Sequence, residues 1–149
     1  MQKCFLSASE SQTSEIAEKF AKIAKRGDVF ALYGTLGVGK SVFARSFIKT
    51  LTNANEVPSP TFTLVQAYEA PNFEIYHFDL YRLKSEDEVF ELGFEEALYE
   101  GVCLIEWPDK AGKWLPKDIF KITISATAEE RKICIETFSP EKEKRLKAL

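Results

Sequence analysis

The stretch Gly34-Thr35-Leu36-Gly37-Val38-Gly39-Lys40-Ser41 fits the phosphate-binding pattern G-x-x-x-x-G-K-[ST] at every fixed position. Residues 28–33 before it read as a short buried strand, and residues 40–51 after it carry apolar side chains at the spacing of an amphipathic helix. The pattern requires this order of strand, glycine loop and helix. The sequence therefore predicts a P-loop that binds a nucleoside triphosphate.

Each residue type in this loop has a physical role. Glycines let the backbone approach a polyphosphate closely, and the inward N–H groups and the helix N-terminus supply partial positive charge. We expect Lys40 to reach the β- and γ-phosphates and the Ser41 hydroxyl to ligate Mg²⁺. The alternative is a glycine-rich turn before an ordinary helix.

Composition indicates an ordinary globular protein. The 149 residues predict a single domain over residues 1–149, with a charged C-terminal tail at about residues 140–149. Hydrophobic residues make up 45% and charged residues 29%, which excludes a disordered chain. The net charge of −3 gives no global attraction for nucleic acid, so any RNA contact is local or belongs to a partner.

The cysteines and the apolar runs predict a cytoplasmic chain. Cys4, Cys103 and Cys134 are odd in number and lack metal-ligand spacing, and the last two fall inside apolar strand patterns. We expect buried, reduced thiols and no disulfide. No apolar run approaches the ~20 residues that span a bilayer, and the N-terminus has no signal-peptide core.

Periodicity and turn signals predict the other elements. They are a strand at 3–6, a helix at 15–25 capped by Ser11 or Thr13, an antiparallel hairpin from strands 62–68 and 73–80, short helices at 85–92 and 94–99, a buried parallel strand at 102–105, a closing hairpin from strands 119–125 and 132–138, and a loose helix in the tail. Early helix–strand alternation with a hairpin in mid-chain favours an α/β fold with a mixed sheet.

Hydrolysis of a bound triphosphate needs a carboxylate near the metal and the attacking water. Glu106 directly follows the buried strand at 102–105, and Asp79 lies near the end of the strand at 73–80. Both positions suit that role. Glu106 could instead be a charged strand terminus, and Asp79 could pair with Arg82.

Three further features have two readings each. The rigid segment at 58–61 offers hydroxyls to a γ-phosphate, or forms a simple turn. Trp107 stacks on a base or partner, or packs in the interior. For His77, the single histidine, a structural role is favoured over a catalytic one.

Together these blocks resemble the TsaE family, the small ATPases of bacterial tRNA threonylcarbamoyladenosine biosynthesis. The resemblance runs from the first helix to about Pro116 and is carried by the P-loop, Ser59-Pro60-Thr61-Phe62-Thr63-Leu64-Val65, Tyr76-His77-Phe78-Asp79-Leu80-Tyr81-Arg82-Leu83, Glu91-Leu92-Gly93 and Cys103-Leu104-Ile105-Glu106-Trp107. Two positions depart from the family pattern: Thr35 stands where an Asp is usual, and Ser41 stands where a Thr is usual.

The resemblance implies an α/β, P-loop NTPase-like three-layer fold with a mixed, mostly parallel sheet and antiparallel hairpins. It implies an accessory Mg-dependent ATPase, weak alone, for threonylcarbamoylation of adenosine 37 in tRNAs reading codons that start with A. ATP and Mg²⁺ would be its cofactors, and TsaD and TsaB its partners, with tRNA met only through the complex and no membrane contact. The oligomeric state stays open.

The resemblance also implies roles for individual residues. Leu36, Gly37, Val38, Gly39, Lys40 and Ser41 would hold the phosphates, with Ser41 and Glu106 at the metal. Asp79 would act in hydrolysis, through the metal or the water, beside Lys40 and Glu106 as catalytic residues. Further nucleotide contacts would come from Thr61 as a sensing residue, Trp107 at the border of the site, and Glu10, Asp109 and Arg131.

Two other classes of function use the same loop. A small-molecule P-loop kinase is the alternative enzyme, although the scattered arginines lack the clustering of a kinase lid. A nucleotide-gated binding module with negligible turnover is the alternative without catalysis.

Overall fold

A mixed β-sheet runs through the centre of the molecule in the computed structural model, which describes residues 1–35 and 37–149. The elements of this described part are, in chain order, β1 (Gln2–Ser7), α1 (Glu10–Lys22), β2 (Val29–Tyr33), α2 (Lys40–Leu51), β3 (Val65–Glu69), β4 (Glu74–Asp79), a 3-10 segment (Glu86–Leu92), α3 (Phe94–Glu100), β5 (Gly101–Glu106), a second 3-10 segment (Pro108–Trp114), β6 (Phe120–Ala126), β7 (Arg131–Glu136) and α4 (Pro140–Lys147).

The strand order explains where a ligand site can form. Within the described residues the order is β1-β7-β6-β2-β5-β4-β3, and the central strands β6, β2, β5 and β4 are mutually parallel. Hairpins β6–β7 and β3–β4 add antiparallel partners at both sides, and β1 closes the edge on β7. The carboxyl ends of β2, β5 and β4 therefore lie side by side, which is where open α/β sheets bind ligands.

Side-chain alternation in the central strands builds one core on each face of the sheet. Phe30 and Leu32 of β2 pack with α1, α2 and α4, whereas Val29 packs with α3 and the two 3-10 segments. Both faces are covered, as continuous apolar strands require. The expected three-layer α/β fold with a mixed sheet and antiparallel hairpins is confirmed.

Two boundaries differ from the sequence prediction. Strand β3 begins at Val65 rather than at residue 62, because Pro60 O accepts a hydrogen bond from the Leu64 N–H (2.6 Å) and closes a turn. Helix α1 begins at Glu10, where Ser9 caps it by accepting from the Gln12 N–H. The predicted caps were wrong, since both lie inside the helix.

The C-terminal tail is docked rather than loose. Leu146 is fully buried in the core, and the Arg145 guanidinium donates to both carboxylate oxygens of Asp28, one at 2.9 Å. Ser139 caps α4 by accepting from the Lys142 N–H. The charged tail therefore forms a packed helix, because Arg145 on its polar side forms an ion pair with Asp28, the residue before β2.

The expectation of a chain without disulfides is wrong. Cys4 and Cys134 form a disulfide between β1 and β7, where the two residues are directly opposite. That finding removes the cysteine argument for a cytoplasmic location. Cys103 is a free, buried thiol, as expected, and burial raises its pKa to about 12. Among the described residues, no helix is both long and apolar enough to cross a membrane.

Candidate functional site

The glycine loop joins the end of β2 to the start of α2. Gly37 (φ 76°) and Gly39 (φ 112°) adopt the left-handed backbone conformation that other residues rarely take. Gly39 caps α2 without any side-chain hydrogen bond to the first helical turn. The N–H groups of that turn are thus left for an anion. Leu36, a predicted phosphate contact, lies outside the described residues.

Gly34 is required by close packing. A Cβ on Gly34 would lie 2.8 Å from Val38 Cγ1 and 2.9 Å from the carbonyl oxygen of Ile124. The start of the loop therefore packs directly on β6. On the other side, Arg131 Nε donates to the Val38 carbonyl (2.9 Å) and ties the loop to β7.

Lys40 begins α2 and is almost completely buried, with 6% of the residue exposed. Its ammonium lies 3.9 Å from the centre of the Trp107 ring, a cation–π contact. Burial lowers the pKa of Lys40, and the nearby charges of Glu106 and Asp79 oppose that shift. Trp107 itself has a left-handed backbone (φ 56°), which is unusual for a bulky side chain.

The two predicted carboxylates lie next to each other at the ends of neighbouring strands. Asp79 on β4 is directly opposite Glu106 on β5, and each is only 7% exposed. Asp79 Oδ1 accepts from the Tyr81 N–H (3.1 Å), and Oδ2 accepts a long hydrogen bond from the Thr61 hydroxyl (3.4 Å). Thr61 in turn shares a 2.7 Å hydrogen bond with Ser59. The 58–61 segment is thereby attached to the carboxylate pair.

Most of the predicted site residues line one cavity of about 320 Å³. Its walls are formed by Glu10, Gly37, Gly39, Lys40, Ser41, Val42, Ser59, Thr61, Asp79, Glu106 and Trp107. The cavity joins the glycine loop, its lysine, the Ser41 hydroxyl and both carboxylates. This arrangement combines donors for a polyphosphate with acceptors for a cation or a water.

A second cavity of about 340 Å³ adjoins the first across the glycine loop. Gly37, Gly39 and Glu10 line both cavities, and Arg131 lines the second. Asp109 is not among the described residues that line either one. It lies near Tyr33, whose pKa is raised by burial and by the Asp109 charge.

The donor set in the first cavity fits a hard cation only in part. Ser41, Asp79 and Glu106 offer one hydroxyl and two carboxylates, the oxygen ligands that Mg²⁺ takes. Within the described residues, no group of three or more His, Cys, Asp or Glu side chains could hold a metal ion by itself. A cation here would therefore need phosphate oxygens and waters as well, as Mg²⁺ does in nucleotide sites.

Two residues that the sequence did not assign to the site contact its residues. His77, read as structural, hydrogen-bonds Glu106 through Nε2 at 2.7 Å. Tyr81, about half exposed, packs its ring 4.9 Å from that of Trp107. The sequence contained one signal for His77. In a strand, residues two positions apart lie on the same face, so His77 shares its face with Asp79.

A glycine loop between a parallel strand and a helix, with two carboxylates at the ends of neighbouring strands, defines a P-loop protein of the α/β class. The family model described as "Threonylcarbamoyl adenosine biosynthesis protein TsaE" matches residues 7–133. The chain belongs to the TsaE family, whose role is in tRNA threonylcarbamoyladenosine biosynthesis.

Individual relatives agree with this assignment. The chain is 42% identical over 127 residues to the tRNA threonylcarbamoyladenosine biosynthesis protein TsaE of Rickettsia conorii, covering 85% of this chain and 73% of that one. Identity to the protein of the same name from Bacillus subtilis is 37% over 122 residues, covering 81% and 76%. The crystal structure of Bacillus subtilis YdiB superposes with a TM-score of 0.81 at 30% identity, covering 99% of this chain and 93% of YdiB.

Proposed function

We propose that the chain binds and hydrolyses ATP with Mg²⁺, as an accessory ATPase for threonylcarbamoylation of adenosine 37 in tRNAs reading codons that start with A. The observation that carries the proposal is the single cavity joining the glycine loop, Lys40, Ser41 and the pair Asp79 and Glu106. Triphosphate binding alone would not require a carboxylate near the metal and the attacking water, whereas hydrolysis does. The role belongs in the cytoplasm, with transfer RNA.

The triphosphate would lie along the glycine loop, with its charge met by main-chain N–H groups and the Lys40 ammonium. The nucleoside would extend into the neighbouring cavity, lined by Glu10 and Arg131. Arg131 already holds the loop through the Val38 carbonyl, so it would set the loop's shape as well as offset phosphate charge.

Ser41, Glu106 and Asp79 are the residues that would hold Mg²⁺ together with phosphate oxygens. When bound, the ion neutralises the negative charge that develops on the phosphates. The two carboxylates would orient the attacking water and accept its proton. Lys40 would leave the Trp107 ring to reach the phosphates, because phosphate oxygens attract its ammonium more strongly than the ring face does.

Thr61 links this chemistry to the surface. Its hydroxyl bonds Asp79 and Ser59, and the next residue, Phe62, is 82% exposed. ATP would reorganise the 58–61 segment and so create the surface that meets TsaD and TsaB, and hydrolysis would relax it. The chain would then act on repeated turnover of the complex rather than transfer the threonylcarbamoyl group.

The test combines nucleotide binding with partner-dependent turnover. Calorimetry should give ATP binding to the chain alone, and phosphate release should rise when TsaD and TsaB are added. Glu106→Ala should support a single round of tRNA modification but not repeated rounds. Repeated rounds at the wild-type level would overturn the proposed role in turnover, and phosphate recovered on a small-molecule acceptor would indicate the kinase alternative.

A further inference from the structure

The single histidine touches one of the two carboxylates of the candidate site. His77 Nε2 lies 2.7 Å from Glu106 Oε2, and the residues are 3% and 7% exposed. We propose that His77 is a positioning residue that fixes the Glu106 carboxylate for Mg²⁺ and the attacking water. This inference rests on the proposed ATP hydrolysis.

The sheet sets the geometry of this contact. His77 pairs with Leu104 in the β4–β5 register, so Glu106 lies two residues further along the neighbouring strand. Both side chains lie on the strand face that packs against α2, because Ile75 and Leu104 of the same alternation belong to that core. The imidazole and the carboxylate therefore lie on the same face of the sheet, within hydrogen-bond distance of each other.

One carboxylate oxygen is held and the other is left for the ligand. The His77 contact uses Oε2, and no residue that the structure describes donates a hydrogen bond to Oε1. Glu106 also lines the cavity that contains Ser41 and Lys40. A glutamate has three side-chain torsions, and one strong hydrogen bond removes most of that freedom. Oε1 is therefore kept in one place without losing its capacity to accept.

The histidine ring is oriented mainly by this contact. Its other nitrogen, Nδ1, is buried and has no hydrogen-bond partner within the described part of the chain. A histidine with only a packing role would leave both nitrogens unsatisfied at a cost, and a leucine would serve better. A charge-assisted bond to Glu106 accounts for a histidine here.

The contact dictates a tautomer. Because a carboxylate oxygen accepts, Nε2 must carry the hydrogen. The chain has one histidine, so a sample labelled with ¹⁵N in histidine gives the signals of a single ring. We expect the NMR spectrum to show a protonated Nε2, and the Nε2 signal to shift when ATP is added with Mg²⁺. A ring protonated only at Nδ1 would overturn the proposal, whatever the activity of the protein.

Three variants test the positioning role in the full chain. His77→Leu removes the donor and keeps the bulk, His77→Gln returns an N–H near the position of Nε2, and Tyr76→Phe is a control on the opposite face of the same strand. We expect His77→Leu to lower Mg-dependent phosphate release about 10- to 100-fold, the usual effect of losing a partner that orients a metal ligand. KM for ATP and the affinity for ATP without Mg²⁺ should not change. His77→Gln should regain most of the rate, and Tyr76→Phe should match wild type.

A double-variant cycle separates positioning from a general structural effect. If His77 acts only through Glu106, His77→Leu should cause no further loss in a Glu106→Gln background. An equal loss in both backgrounds, or a failure of His77→Gln to restore the rate in a variant with wild-type thermal unfolding, would refute the inference. If the wild-type protein neither binds nor hydrolyses ATP, the proposed function is refuted. The tautomer of His77 still tests its contact with Glu106 in that case.

Discussion

The contact between Lys40 and Trp107 gives a prediction about how the site changes when a nucleotide binds. The Lys40 ammonium lies 3.9 Å from the centre of the Trp107 ring, and Lys40 as a whole is 6% exposed. In our proposal a triphosphate takes the ammonium away from the ring. ATP binding and the Lys40–Trp107 contact should therefore be mutually exclusive, and Trp107 should report the exchange.

The magnitude follows from the two competing contacts. A hydrogen bond to a charged group contributes about 1.5–3 kcal/mol. A cation–π contact contributes about 0.5–2 kcal/mol and is lost on binding. The difference is about 1 kcal/mol, so Lys40→Ala should weaken ATP binding about 5-fold.

The assay uses calorimetry for the dissociation constant and tryptophan fluorescence for the contact. Trp114→Phe leaves Trp107 as the single tryptophan of the chain. In that background ATP should change the emission, and Lys40→Ala should change it without ATP and give a smaller response to saturating ATP. The matched control is Lys49→Ala, which removes an exposed lysine from the last turn of the same helix. Unchanged affinity in Lys40→Ala, or an equal loss in Lys49→Ala, would refute the reasoning.

Three further predictions concern titrating and cross-linked groups. Burial raises the pKa of Cys103 to about 12, so this thiol should resist alkylation of the native protein at pH 8 and react after unfolding, as mass spectrometry can show. The Cys4–Cys134 disulfide closes a separation of 130 residues, so its reduction should lower the free energy of unfolding by up to about 5 kcal/mol in urea titrations, with no effect of reductant on Cys4→Ser. The hydrogen bond to Glu74, followed by burial, raises the pKa of Tyr76 to about 12. Because the folded state favours the neutral phenol, the stability difference between wild type and Tyr76→Phe should be complete below pH 10 and disappear as the pH rises through 12.

The features that the sequence predicts well are encoded locally. The glycine loop and α2 follow from residue types within one short stretch, and the structure begins and ends α2 at the predicted residues. The buried strand before Glu106 also follows from a local apolar run, and its central parallel position agrees with the expectation. Local patterns are sufficient here because backbone conformation and burial are decided by neighbours in sequence.

The features that the sequence does not predict depend on residues that are far apart in the chain. Arg145 bonds Asp28, which is 117 residues away in the sequence. The charged composition of the tail does not show this partner, so it suggests a loose segment although the helix is docked. Cys4 pairs with Cys134 only because β1 and β7 align in that register. No local pattern contains either pairing. Each requires the strand order of the sheet to be known first.

The backbone on both sides of the carboxylate pair is strained, and this links the site to its surface. Leu64 (φ 67°) and Trp107 (φ 56°) are the non-glycine residues with positive φ in the described chain. Such residues cost on the order of 1–3 kcal/mol each and persist only where other contacts hold them. The Leu64 carbonyl accepts from the Asp79 N–H, and Trp107 directly follows Glu106.

In our proposal, a nucleotide would disturb contacts that lie next to these strained residues. Trp107 rests against the Lys40 ammonium, which would leave for the phosphates. Leu64 closes the turn that begins at Pro60, next to the Thr61 hydroxyl that bonds Asp79. A ligand that removed the Lys40 contact would free Trp107, on which the exposed Tyr81 ring packs, and one that broke the Thr61–Asp79 contact would free the turn that bears the exposed Phe62. In our proposal, occupation of the cavity that contains Lys40 and Asp79 would therefore change the protein surface near Phe62 and Tyr81.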